Sequence, residues 1–504
     1  MPHVTSSASA PPQHHSAGPR SGKSARRRSK PCQAGNRSHP ASSPRRTAPG
    51  WSLPELVDDR PLLDLGLLSR VCNLEVVAEV VSRPGLGQVR GLLPSALTVY
   101  LVLALCLFPG EAYQEILQIF WAAWFALDGQ PPLPVPNKSS LCRARQRLGA
   151  PVMARLFMAI ARPLATAETP GAFWRGYRVM AIDGFTMEVP QSELNEQAFG
   201  GQCSDHHKRV GLPQLRAVGL AECGTHALLD VEQGRYNDSE RWLAAMLARS
   251  LQPGMLELAD RGFFDVQLWR LHHQTGAHLL WRIKANVATK VLRALEDGTY
   301  IARVTPQKKA YPPGQRPKPV EVRVIEFCVQ GSPELIRLAT SLLDPHSAPA
   351  PDLARLYAER WECEGTYDEL KTHQRGAGIV LRSRTPDGVR QELWAHLIVH
   401  FGARSIAAEA AMARALDPDR MSFVLTLRLI RRSLPRAPFP TDQRQALQAA
   451  VAELTAPRAQ LHRRPRSSPR TVKRRRRRYR CVLKPAAGTR LALQPSITLR
   501  PLIG

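Results

Sequence analysis

The sequence predicts an α/β protein: a mixed sheet flanked by helices, interrupted by a β-rich insertion and preceded by an all-helical N-terminal region. Three observations carry this. Residues 175–284 read strand, strand, strand, helix, strand, helix, strand, the order of a mixed sheet with helices laid on it. Apolar residues of 51–163 recur at spacings of three and four, the helical period. Further on, Val320–Val329 (VEVRVIEFCV) alternates residue by residue, the period of a strand.

In chain order, residues 1–50 are rich in Ser, Pro, Arg and His and poor in large apolar side chains, which predicts a disordered basic tail. Residues 51–165 form the helical N-terminal region, with stripes in Leu62–Val81, Leu92–Phe108 and Tyr113–Leu127. After a proline-rich linker, Ser139 or Ser140 is placed to cap a helix that carries Arg143, Arg145 and Arg147 around its polar side. Such a helix either reads DNA or presents a solvated face. Residues 172–285 and 335–435 supply the sheet and its helices, 286–334 the β-rich insertion, and 436–504 a basic C-terminal tail.

Charge is unevenly distributed. The chain has 504 residues and a net charge of +28. Residues 1–50 and 458–504 hold 24 of the 70 Lys and Arg and none of the 42 acids, so 46 cations face 42 acids in the middle. Cationic tails on a near-neutral body point to a polyanion, nucleic acid first and anionic membrane second. The nine cysteines are scattered and form no CxxC pair, which excludes a zinc ribbon or a disulfide framework and fits a reducing cytoplasm. Cys203 with His206 and His207 has ligand-like spacing but no partner pair, and reads as a surface turn. The N-terminus has no signal-peptide core. The most apolar run, Ser95–Phe108, is shorter than the ~20 residues of a membrane span and predicts a buried core helix.

Chemistry concentrates in three places. The strand Tyr177–Ile182 ends in Asp183-Gly184, and the strand Met255–Ala259 ends in Asp260-Arg261-Gly262. Leu353–Gln374 (LARLYAERWECEGTYDELKTHQ) predicts a helix of about six turns, on which Tyr357, Arg360, Glu364 and Lys371 share one face at ~100° per residue. Asp368, four residues beyond Glu364, shares that face and competes with it. Carboxylates at strand ends face the open edge where α/β sites form. Three of them, oxygen donors only, suit Mg²⁺ or Mn²⁺ and phosphoryl transfer.

The spacing Tyr357-x2-Arg360-x3-Glu364-x6-Lys371 resembles the signature of the DDE transposases of the insertion-element-four family. AIDGF around Asp183 and LADRGFF around Asp260 are similar to that family's first two acidic motifs. LRSRTPDGVRQELWAHL resembles the segment after its catalytic helix, and the likeness spans about residues 51–480. The resemblance implies a ribonuclease-H-like core and cut-and-paste transposition with Mg²⁺. It implies Asp183, Asp260 and Glu364 as catalytic metal ligands, with Tyr357, Arg360 and Lys371 on the DNA backbone. It further implies double-stranded DNA partners (terminal inverted repeats and target), a homodimer pairing two ends, and a cytoplasmic, nucleoid-associated location. The family's aromatic base clamp has no tryptophan to use in 286–334, where Tyr300, Tyr311 and Phe327 are the aromatics. Two other readings keep much of this pattern: a domesticated DNA-binding relative, and a plain Mg²⁺-dependent nuclease.

Overall fold

The strand Tyr177–Glu188 is the axis of the fold. In the computed structural model it pairs antiparallel with Gln214–Glu222 on one side and parallel with Met255–Ala259 on the other. The structure describes residues 66–83, 93–125, 135–203, 210–306, 316–329, 334–433, 443–461 and 497–499. The expected tail at 1–50, the His206–His207 pair and most of the basic stretch after 461 lie outside these residues.

The strands are β1 (Phe173–Trp174), β2 (Tyr177–Glu188), β3 (Gln214–Glu222), β4 (Leu228–Arg235), β5 (Met255–Ala259), β6 (His278–Ile283), β7 (Thr289–Ala294), β8 (Tyr300–Val304), β9 (Val320–Val329), β10 (Leu335–Thr340) and β11 (Ile497–Leu499). They form one sheet in the order β4-β3-β2-β5-β6-β10-β9-β8-β7, with β1 on β2 and β11 on β9. An antiparallel meander, β2–β3–β4, joined to the parallel strands β5 and β6, is the ribonuclease-H-like arrangement. The strands of 289–329 extend this sheet instead of building their own. The ten-residue β9 is long enough to pair with β8 through its first half and with β10 through its second.

The helices are α1 (Leu74–Ser82), α2 (Ser95–Leu107), α3 (Tyr113–Phe125), α4 (Lys138–Ile160), α5 (Glu193–Phe199), α6 (Glu240–Leu247), α7 (Val266–His273), α8 (Ala350–Leu356), α9 (Trp361–Asp368), α10 (Pro386–Met412), α11 (Phe423–Ser433) and α12 (Gln443–Leu454). All thirteen residues of α2 are buried. It packs on α10, whose first turn holds Pro386 and is capped by the Thr385 side chain. Among the described residues no helix is long and apolar enough to cross a membrane. The N-terminal helices α2 and α4 thus share a core with the helix that follows the sheet.

Three expectations need revising. The cap of α4 is Asn137, whose side chain accepts from the Ser140 amide at 2.8 Å, and Gly149 and Pro151 kink the helix. Part of 436–504 is folded: α12 buries Ala450 and Leu454 and packs on α10 and α11. The stretch Leu353–Gln374 is not one uniform helix. It passes from α8 through a 3₁₀ turn at Tyr357–Arg360 into α9, and ends in a π-helical turn at Glu369–Gln374. Such breaks rotate side chains away from their ideal positions, and they recur at functional sites.

Candidate active site

The two aspartates are adjacent because their strands are. Ile182 pairs with Ala259 across the parallel β2–β5 ladder, so Asp183 and Asp260 come next on strands roughly 4.8 Å apart. Glu364 is carried over them by the buried face of α9. Tyr367 reaches under the sheet, its hydroxyl donating to the Asp183 carbonyl at 2.7 Å with the Gly219 carbonyl 3.2 Å away. Its ring packs on Phe185, centroids 4.6 Å apart. Gly219 makes room, since a Cβ there would lie 2.9 Å from the Tyr367 hydroxyl. The Cys363 thiol points at the Ala181 carbonyl, 3.9 Å away.

Arg360 ties the acids together. Its Nη1 lies 3.1 Å from Asp183 Oδ2 and its Nη2 3.4 Å from Glu364 Oε1. Burial pushes the Asp183 carboxyl up to about 6; Arg360 and the Gly184 amide pull it down, while Glu364 and Asp260 push it further up. Burial opposes the charge on Arg360, but Tyr357 and the three acids hold it firmly protonated. Lys371 also feels Asp183 and Glu364, although burial and the Arg375 charge lower its pKa. The structure therefore gathers Asp183, Asp260, Glu364, Arg360 and Lys371.

Other expected members sit differently. Asp368 is exposed, accepts from the Thr372 hydroxyl at 2.7 Å and faces His373, whereas Glu364 reaches Arg360. Tyr357 is buried, 8% exposed, and donates to the Ala259 carbonyl at 3.3 Å, just before Asp260. It braces that strand end instead of reaching outward, because the 3₁₀ turn faces it into the sheet. Arg145 is a correction. Of the three arginines expected to face DNA from α4, Arg143 and Arg147 are exposed, but Arg145 is buried. It pairs with Glu392 at 3.0 Å and donates to Gln391 Oε1 at 2.9 Å. The cause is packing: α4 lies against α10, and the 145 position falls on the contact face.

Can these residues hold a divalent ion? The donors are three carboxylates, the oxygen-only set that hard cations take. Burial, with Glu364 and Asp260 adding to it, lifts Asp183 even with Arg360 beside it. Such a site fits a divalent cation, whose charge offsets that of the acids.

The back of the same helix carries a network that sequence reasoning missed. His226 Nε2 lies 2.6 Å from Glu362 and 3.0 Å from Asp419, and these three groups are close enough to surround an ion. Arg404 donates to Glu369 at 2.8 Å and to His226 Nδ1 at 2.9 Å. Glu362 and Glu369, seven apart, signal a second polar face in the sequence, but their partners come from 143 to 35 residues away in the chain and leave no local pattern.

Comparison with known proteins identifies the family. The family model Transposase DDE domain matches residues 174–401, and Insertion element 4 transposase N-terminal matches residues 62–158. The chain is 27% identical over 380 residues to the transposase InsG for insertion sequence element IS4 of Escherichia coli (strain K12), covering 74% of this chain and 83% of that protein. It is 26% identical over 167 residues to the putative transposase InsZ of the same organism, covering 33% of this chain and 56% of that one. A loose structural likeness, TM-score 0.37 at 10% identity, links it to a cryo-EM structure of the piggyBac transposase synaptic complex with hairpin DNA, covering 77% of this chain and 84% of that one. Both family models match in the expected order, the second ending before the first begins. The chain belongs to the DDE transposases of the insertion-element-four family.

Proposed function

We propose that this transposase excises its own element by cutting at the terminal inverted repeats and joins the freed ends to target DNA, with Asp183, Asp260 and Glu364 as the acids that carry the reaction. The observation behind this is the shared arginine: Arg360 reaches Asp183 and Glu364 at once, while Asp260 adds its charge to Asp183 and Arg360. The same three carboxylates would hold Mg²⁺, or Mn²⁺, which when bound activates the attacking water or 3′-hydroxyl and steadies the leaving oxygen.

The chain's own groups do the rest. Arg360 and Lys371 flank the acids and attract the backbone phosphate to be cut, offsetting charge that develops on it. Tyr357 holds the end of β5 just before Asp260, and Tyr367 holds the backbone of β2 at Asp183. Arg143 and Arg147, exposed on α4, offer contacts to the flanking duplex. Pairing of two ends requires two copies, so the working form is a homodimer on DNA, in the nucleoid of a bacterial cytoplasm.

The test uses a labelled duplex ending in the repeats that bracket the gene, with Mg²⁺ and a target plasmid. Cleavage at the repeat followed by joined product supports the reading. Hydrolysis without joining indicates a nuclease. Binding with neither indicates a DNA-binding relative that has lost the reaction.

A further inference from the structure

Arg375 immediately follows the π-helical turn Glu369–Gln374, and it is a guanidinium without an anion. Its Nε and Nη1 are buried and make no hydrogen bond. Burial lowers its pKa, and Glu188 is the carboxylate that counters this, from beyond ion-pair distance. The fully buried arginines of this fold are treated otherwise. Arg145 pairs with Glu392 at 3.0 Å, Arg323 with Asp297 at 2.5 Å, Arg360 with Asp183 at 3.1 Å, and Arg404 with Glu369. Glu392 lines the same small cavity as Arg375 but is spent on Arg145 and on the Arg382 amide, 2.7 Å away. Arg375 is only half-buried, but its two inner nitrogens lie out of water with no acceptor, and an anion brought by a ligand would satisfy them.

Position indicates which anion. Lys371 is one turn earlier and lies within the field of Asp183 and Glu364. The Arg375 charge lowers the pKa of Lys371, so the two cations stand within each other's field. The residues that follow, Ala377 and Gly378, are exposed, and a Cβ at Gly378 would meet nothing within 4 Å, so the approach is open. Arg375 is also outside the Tyr-Arg-Glu-Lys spacing.

Building on the proposed function, we infer that Arg375 binds a phosphodiester of the DNA backbone next to the one attacked, so that Lys371 and Arg375 form a two-cation track leading away from the acids. The guanidinium turns outward to reach the phosphate with the nitrogens that are idle in the DNA-free protein.

The full-length protein with Arg375→Met, and with Arg375→Lys, tests this in EDTA, where binding is separated from cutting. Fluorescence anisotropy against salt is read on a terminal-repeat duplex and on an unrelated duplex, beside thermal unfolding. The expected result for Arg375→Met is about tenfold weaker binding, a log–log salt slope shallower by about 0.9, and a Tm equal to or above wild type. Arg375→Lys should recover much of the affinity. Loss confined to the repeat duplex assigns the phosphate to the transposon end, and equal loss on both assigns it to any duplex, target included. Unchanged affinity and slope overturns the inference, as does a fall in Tm with unchanged affinity, which marks a structural arginine. Wild-type cleavage with Mg²⁺, run in parallel, separates that failure from a failure of the proposed function.

Discussion

The Arg360 guanidinium sits 3.1 Å from the Asp183 carboxylate, just ahead of the helix that carries Glu364. The same guanidinium reaches Glu364, so it supplies in the DNA-free protein part of the positive charge that the acids demand. Arg360→Gln leaves Asp183, 20% exposed, and Glu364, 31% exposed, to repel one another. The expected loss in EDTA is about 2 kcal/mol, below the ~3–5 kcal/mol of a fully buried pair because both acids keep some water. Adding Mg²⁺ should restore more stability to the variant than to wild type. Thermal unfolding with and without Mg²⁺ reads both numbers.

Arg145 lies on the helix that sequence alone offers for DNA reading, yet it is locked to Glu392 and Gln391. Arg145→Ala should destabilise by about 3–5 kcal/mol, since Glu392 is left buried without its cation. The salt slope of DNA binding at a temperature where the variant is folded should not change. Arg143→Ala and Arg147→Ala should do the reverse: near-unchanged Tm and a slope each about 0.9 shallower. Urea unfolding and salt-dependent anisotropy distinguish the two patterns.

A pH effect is expected from the pair beneath the sheet. His272 Nδ1 lies 2.9 Å from Glu257, both fully buried, and Nε2 faces the Ala244 carbonyl at 3.1 Å. Burial works against the imidazolium, but Glu257 outweighs it, and the His272 pKa is raised. A raised histidine pKa means stability fully present below the unfolded value of ~6.5 and lost as pH climbs through the higher folded value. His272→Gln should therefore be less stable than wild type by about 3 kcal/mol at pH 6, and the gap should narrow steadily above pH 7. A constant gap from pH 6 to 9 would show that His272 is neutral throughout.

Much of this was legible because the informative patterns were local. The strands that lead to Asp183 and Asp260 and the alternation in Val320–Val329 lie within single elements, although β2 runs on past Asp183 to Glu188 instead of ending there. The signature helix was legible as a helix but not in its phase. An ideal 100° step puts Tyr357 on the face of Glu364, and the 3₁₀ turn between them removes it, while Asp368 lies in the same α-helical segment as Glu364 and differs from it by its exposure. The inward turn of Arg145 depends on Glu392, 247 residues later, and the His226 network on Asp419, 193 residues later. No period within a window records such partners. The C-terminal helix α12 did leave a signal, Leu447, Ala450, Val451 and Leu454, but it was masked by the cationic run behind it.

The central claim is that Glu364, with Asp183 and Asp260, carries the cutting reaction. Single-turnover cleavage of a labelled terminal-repeat duplex in Mg²⁺, comparing Glu364→Gln with Asp368→Asn, tests it most directly. Glu364→Gln should give no detectable cleavage, with DNA binding within a few-fold of wild type, and Asp368→Asn near-normal cleavage. Retained cleavage by Glu364→Gln, or its loss in Asp368→Asn, would contradict it.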